Sequence, residues 1–371
     1  MLKALFDWLD GHPASYWCLA LGVTILLLGW IVARCWRESA APSAELSRPD
    51  WRDYLVLFLF VLAWRWPFLA VAGDYNPDES QQIAGALTLA HDPVFWRSVD
   101  GNTSGPLNFY VLVPLRWVGL PLDYFTARLA GLCFVAGALA CCLRALAERF
   151  GRAAAWLGVV AAAAFFATTT STDLIHYSTE HFPLLVAAAA IACLAGRHDG
   201  DRRRLWSGCF LAGCLPLTKL QAAPIGLAIF CWGLGQIFRE GRPGRGSRAA
   251  SATAVALVPG LLVVTMVLVT GETEAAVRRF FLHNISYVGE DNALRTAWFE
   301  MAGLAKADGR FPLLLWTVLG GTLAAGIFLR CGGCAHPRSC SSPPGWWPSR
   351  RAPCSLPGAV TCITCCCCRC R

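Results

Sequence analysis

Charge is scarce in this chain. Asp, Glu, Lys and Arg supply 15% of its 371 residues, where a soluble domain carries about 25%. That shortage excludes a soluble globular domain. Lysine is rare and confined to Lys3, Lys219 and Lys306. The net charge of +8 therefore rests on arginine placed in short linkers. It marks the cytoplasmic loops of a membrane protein, and no nucleic-acid partner is expected. Tight ligand spacings such as His-x-x-x-His are absent, so no metal site is assigned. A divalent metal stays open as an auxiliary, and no cofactor is certain. The chain also lacks an internal repeat, the feature that would favour a transporter.

Apolar residues make up 56% of the sequence, with 16 Trp and 20 Phe. Several apolar runs approach the roughly 20 residues needed to cross a bilayer. The expected fold is an all-α polytopic membrane protein with about nine transmembrane helices. The spans fall near 17–33, 54–72, 126–143, 153–170, 182–196, 205–217, 222–238, 251–270 and 311–329. Linkers 34–53, 144–152, 197–204 and 239–250 carry four, three, four and four Lys/Arg, whereas 171–181 has none and 218–221 only Lys219. Basic loops stay inside. The N-terminus, 73–125, 171–181, 218–221 and 271–310 are then outside. The first span could pass for a signal peptide, but Arg34 and Arg37 precede the candidate cleavage sites, which favours an uncleaved anchor. Abundant Ala, Leu, Arg and Gly fit a GC-rich bacterial gene, hence a multi-pass protein of the inner (plasma) membrane.

One polar stretch, 73–110, interrupts the apolar pattern: GDYNPDESQQIAGALTLAHDPVFWRSVDGNTSGPLNFY. Asn76-Pro77 is a turn signal, and Asp78-Glu79 opens a largely apolar helix near 79–91. Acids in a first helical turn suit the partial positive charge there. Capping alone would explain them; so would a carboxylate site held at the membrane surface by an interfacial helix. The run PLNFYVLVPLRWVGLPL, 106–122, is nearly long enough to span, but crossing would put the later Arg-rich loops outside. It reads as a second interfacial helix near 106–120, or as a re-entrant piece. The same outer side receives Asp173, His176, Tyr177, Glu180 and His181 from 171–181, Lys219 and Gln221 from the next turn, and Arg278, Arg279, His283, Asn284, Tyr287, Glu290 and Asp291 from 271–310.

An Asp-Glu pair in the first outer loop, opening one interfacial helix and followed by a Pro-containing second, resembles the GT-C superfamily of membrane glycosyltransferases. The similarity is greatest to the branch of protein O-mannosyltransferases and the lipid A aminoarabinose transferase. It is carried by Asp78-Glu79, by SGPLNFYVLVPLRW (104–117) and by ARLAGLCFVAGALACCLRALAERFG (127–151). It covers about residues 54–330. The chain departs from that pattern in an extra span at 17–33 and in ending after nine spans.

The resemblance implies transfer of a sugar from a polyprenyl-phosphate carrier to an unknown acceptor at the outer, periplasmic face. The chemistry then needs a general base for the acceptor hydroxyl, for which Asp78 comes first and Glu79 second. It also needs cations on the leaving phosphate, and Lys219, Arg278 and Arg279 are the candidates. Asp74, Asn108, Tyr110, Glu180, His181 and Gln221 are candidate substrate contacts. Bland readings stand beside these. Asp74 suits a turn, Lys219 or Arg65 can snorkel to the interface, and Arg278-Arg279 can merely anchor a helix. The competing functions are a polytopic transporter or lipid flippase, and a non-catalytic scaffold.

Three regions follow: an N-terminal anchor and cytoplasmic linker (1–53), a GT-C-like transmembrane domain (54–330) with its catalytic loop at 73–125, and a tail (331–371). The tail holds 10 of the 19 Cys, six Pro and no Asp, Glu or Lys. Palmitoylation or metal binding would use clustered Cys, but Trp346-Trp347 and the loss of all acids fit neither. Leucine codons CTG read one base late become TGC, Cys, so CITCCCCRCR is what a Leu-rich helix looks like out of frame. The expectation is a frameshift near residue 330 and a tail outside any packed core.

Overall fold

The computed structural model describes residues 8, 11–40, 48–70, 76–101, 103–196, 201–240 and 243–290. The expected span at 311–329, the tail 331–371, Asp74 and Asp291 lie outside them. So do the side chains of Tyr287 and Glu290.

Among the described residues the protein is all-helical, with a single isolated backbone bridge, Ser104 to Lys219. In chain order the helices are α1 (Pro13–Ala40), α2 (Trp51–Ala70), α3 (Pro77–Leu89), α4 (Phe95–Ser98), α5 (Pro106–Tyr110), α6 (Val113–Trp117), α7 (Tyr124–Phe150), α8 (Arg152–Thr168), α9 (Thr172–Ile175), α10 (His181–Ala195), α11 (Arg202–Thr218), α12 (Ala223–Arg239), α13 (Arg245–Thr270), α14 (Thr273–Ala276) and α15 (His283–Glu290). A 3₁₀ turn, Leu220–Ala222, leads into α12, and a π-type stretch, Val277–Leu282, leads into α15. Among the described residues, four stretches are long and apolar enough to cross a membrane: Ala14–Arg37, Tyr124–Phe150, Leu220–Arg239 and Arg245–Thr270. Helices α8 and α10 are apolar but shorter.

Local chemistry sets the boundaries. Asp123 accepts from the Thr126 N–H and Asp201 from those of Arg203 and Arg204, each filling a donor that the first helical turn leaves open. Gly151, at φ 89°, ends α7 and begins α8 in one residue, a conformation that suits glycine. The segment 106–120 is not one helix. It breaks at Val111-Leu112 into α5 and α6, because Pro114 has no N–H to continue the ladder.

Contacts sort the helix ends into two groups. One gathers the Tyr16–Trp64 bond, Phe68 with Arg128, and everything joined to α3. The other gathers Arg34, Asp50, Asp53 and Arg152, the Glu148–Arg204 pair, and the Glu240–Arg248 pair. Successive long helices therefore run up and down, and the described parts of the Arg-rich linkers fall at one end, opposite α3. The core is built in three patches. Leu57, Val61, Leu132, Leu143 and Trp156 join α1, α2, α7 and α8. Ile83, Phe95, Phe109, Leu112 and Tyr177 lie beneath the α3–α6 segment. Ala190, Leu194, Cys209 and Leu215 join α10 to α13. Buried alanines such as Ala155, Ala163 and Ala190 let the backbones approach closely, as helix contacts within a bilayer require.

At the Arg-rich end, Asp53 is fully buried. Its Oδ1 accepts from Trp30 Nε1 (2.8 Å), Arg34 Nε (3.1 Å) and Trp156 Nε1 (3.4 Å), and its Oδ2 from the Asp50 N–H (2.8 Å). Arg152 Nε lies 3.6 Å from Oδ2. This one carboxylate binds α1, α2 and α8 together, so the N-terminal helix is integral to the bundle.

Candidate functional site

Helix α3 is set by its own sequence. Asn76 is the N-cap, its Oδ1 accepting the Asp78 N–H at 3.0 Å, and Pro77 takes the first helical position, where no N–H is needed. Capping is thus done by Asn76, which leaves the side chains of Asp78 and Glu79 for other work. The buried face is Glu79, Gln82, Ile83, Ala86 and Leu89, the three-to-four spacing of a helix laid on a core. Asp78 falls on the opposite, exposed face.

Glu79 is completely buried and meets Arg128 of α7. Arg128 Nε donates to Oε1 (3.0 Å) and Oε2 (3.2 Å), and Nη2 to Oε2 (2.9 Å). Nη1 of Arg128 bonds the Phe68 carbonyl at 3.1 Å. The Tyr177 N–H donates to Glu79 Oε1 at 3.0 Å, and His176 Nδ1 stands 3.8 Å from Oε2. Burial, with the Arg128 charge beside it, holds the His176 imidazole below its ordinary range. Glu79 is thus spoken for by a two-pronged cation and a backbone donor.

The segment 171–180 runs from Asp78's neighbourhood to Lys219. Asp173 accepts from Asn76 Nδ2 at 3.2 Å. The Leu174 carbonyl receives Arg65 Nη2 of α2 and His181 Nε2 (3.0 Å). Because the Ser178 N–H donates to His181 Nδ1 at 3.1 Å, the imidazole proton sits on Nε2. His181, expected among the substrate contacts, is buried with both ring nitrogens engaged. At the far end Lys219 Nζ reaches Glu180 Oε1 (2.7 Å) and Thr179 Oγ1 (3.2 Å).

Asn108 closes the arrangement from the α5 side. Its Nδ2 faces Ser104 Oγ (3.1 Å) and the carbonyls of Thr179 and Thr218 (3.0 Å each), while its main-chain carbonyl accepts from Tyr177 Oη at 3.0 Å. The Gly105 N–H bonds Thr218 O at 2.8 Å, and a Cβ at Gly105 would lie 2.1 Å from Leu217 O. Only glycine permits that approach. The α5 strap and the Lys219 turn are thereby held together.

The other expected residues lie around this centre. Tyr110 Oη donates to the Pro93 carbonyl, bracing the 91–95 turn. Gln221 bonds Asn284 Oδ1 at 3.0 Å, which brings α15 against the Lys219 turn. Arg279 Nη1 donates to the Trp96 carbonyl at 3.0 Å, and Arg278 is exposed. Among the described residues no three or more His, Cys, Asp or Glu gather in a metal-binding group.

The residue most missed by sequence reasoning is Arg128. A buried arginine four residues into an apolar span was itself the signal, since ionisable residues at such depth have partners or functions. Gln82 is also fully buried, and among the described residues neither its Oε1 nor its Nε2 has a hydrogen-bond partner.

Comparison of the chain with protein-family models, with curated proteins and with solved structures gives no significant match.

Proposed function

We propose that this protein is a lipid-linked sugar transferase of the inner membrane, working at the outer face with the helix pattern of the GT-C group. In this reading nine spans cross the bilayer, α3 and the α5–α6 pair lie in the outer interface, and the Arg-rich linkers face the cytoplasm. The observation that carries it is the division of labour in the Asp-Glu pair. Glu79 is fixed by Arg128 and the Tyr177 N–H, which leaves Asp78 exposed on a helix whose position is set from beneath.

Asp78 then takes the proton from the acceptor hydroxyl as its oxygen attacks the anomeric carbon. The bond from that carbon to the phosphate oxygen breaks, and the polyprenyl phosphate departs with the electron pair. Lys219, joined to the same 171–180 segment, stabilises the phosphate charge. Arg278, on the exposed side of the stretch leading to α15, is a second cation for it. Glu79 acts as a positioning residue.

The test is sugar transfer by purified protein from a panel of polyprenyl-phosphate sugars, with products read by mass spectrometry. Transfer that depends on Asp78 supports the reading. Turnover that survives loss of both acidic side chains removes the catalytic role. No transfer, together with lipid movement across proteoliposomes, replaces it with a flippase.

A further inference from the structure

Lys219 already holds an anion. Its Nζ is 2.7 Å from Glu180 Oε1, while the Thr179 hydroxyl accepts from Nζ at 3.2 Å and donates to Glu180 Oε2 at 2.8 Å. The three polar groups close into a small ring.

The stem and the head of Lys219 differ in how firmly they are held. Its backbone leaves α11 in an extended conformation, φ −158°, pairs with Ser104, donates to Leu215 O and accepts from the Ala222 N–H. The head is accessible: the Lys219 side chain is 22% exposed and that of Glu180 48%. Ion pairs at such exposure exchange partners at little cost.

The Glu180 carboxylate makes one bond within its own loop, from Thr179 Oγ1, and one outside it, from Lys219 Nζ. Among the described residues its carboxylate meets only Lys219 and Thr179. Main-chain groups hold the path of 171–180 at three further points: the Leu174 carbonyl, the Tyr177 N–H and the Thr179 carbonyl. A carboxylate half exposed and laid on the cation of a turn whose own backbone is fixed has the chemistry of a competitor.

We propose that Glu180 is a built-in stand-in for phosphate: it occupies Lys219 while the site is empty and yields it to a phosphate group, so that Glu180 sets donor affinity. This rests on the reading of Lys219 as a phosphate-binding residue. If Glu180 holds Lys219 for about 80–90% of the time, removing it raises apparent affinity about five- to tenfold, since the binding-competent fraction rises by that factor.

The probe is a C55 polyprenyl phosphate titrated into detergent-solubilised full-length protein, read by tryptophan fluorescence, with inorganic phosphate in parallel. Glu180→Gln should tighten binding about five- to tenfold, and Glu180→Ala repeats the test with a different side chain. Lys219→Met should weaken binding and erase the gain from Glu180→Gln, because the two then share one cause. The same ordering with both probes assigns the exchange to the phosphate group; ordering with the lipid alone assigns it to the carrier. If Lys219→Met weakens binding but loss of the Glu180 carboxylate leaves it unchanged or weaker, the stand-in is refuted while Lys219 keeps its role. If Lys219→Met binds as the wild type does, the phosphate role of Lys219 fails first, and the stand-in fails with it.

Discussion

Asp78 and Glu79 are covalent neighbours in opposite surroundings: the Glu79 carboxylate is fully buried against Arg128, and Asp78 stands exposed at the head of the same helix. A helix turns about 100° per residue, so two adjacent acids cannot share one environment when the helix lies on a core. The consequences of exchanging each of them therefore separate.

For Asp78→Asn, sugar transfer should fall by about 10²- to 10⁴-fold, the usual contribution of a positioned general base. Membrane insertion and thermal stability should not change, because the Asn76 cap uses the Asp78 backbone N–H. Loss of stability together with activity would assign Asp78 a structural role instead.

For Glu79→Ala or Arg128→Met alone, the expected cost is about 3–5 kcal/mol, since each leaves a buried charge without its partner. The double variant should recover part of that loss. A chemical-denaturation series in detergent measures all three. Single variants as stable as the wild type would show that the pair is not buried as described.

The His176 imidazole gives a pH dependence with a definite sign. Its folded-state range lies below that of the unfolded chain, about 6.5. The neutral ring is the folded form, so its contribution is complete above about pH 6.5 and declines as the pH falls through it. One such proton changes stability by up to about 1.4 kcal/mol per pH unit. Thermal unfolding at pH 7.5 and 5.5 should show the loss, and His176→Gln should make the slope shallower. An unaltered slope in that variant would place the acid sensitivity elsewhere.

At the opposite end, Asp53→Asn should destabilise the bundle by about 3–5 kcal/mol, because the carboxylate serves the buried Arg34 and Arg152 and two indoles. Asp50→Asn, at a more exposed partner of Arg34, should cost about 1 kcal/mol or less. Equal effects from the two would contradict the burial of Asp53. Protease access to α1 in the Asp53 variant reports whether that helix loosens first.

The long helices were legible because apolar runs and linker arginines are one-dimensional signals: the spans expected near 126–143 and 251–270 lie inside α7 and α13. The break between α5 and α6 was readable from Pro114 but was subordinated to the apolar run around it. The role of Glu79 was not readable. Its partner sits 49 residues away, and nothing in the local sequence says which arginine a carboxylate will meet. The capping role fell to Asn76 because its side-chain oxygen stands one residue ahead of the helix, where the first free N–H groups point. The staple at Asn108 was legible only as polarity inside an apolar stretch; its partners come from two distant turns.

The segment from Leu174 to Thr179 touches α2, α3 and α5 through main-chain atoms that every residue type but proline possesses. A carbonyl meets Arg65, an amide meets Glu79, and another carbonyl meets Asn108. What this stretch conserves physically is a distance along the backbone, with side-chain identity secondary except at His176, Tyr177 and Ser178. Exposed positions such as Thr172 should accept replacement with little change in melting temperature. Removing one residue between Leu174 and Thr179 should instead take two of the three anchors out of register at once, and the acid at the head of α3 would lose its fixed separation from Lys219. Comparing a Thr172→Ala variant with a one-residue deletion at Ser178 by thermal unfolding distinguishes a segment that works by composition from one that works by length.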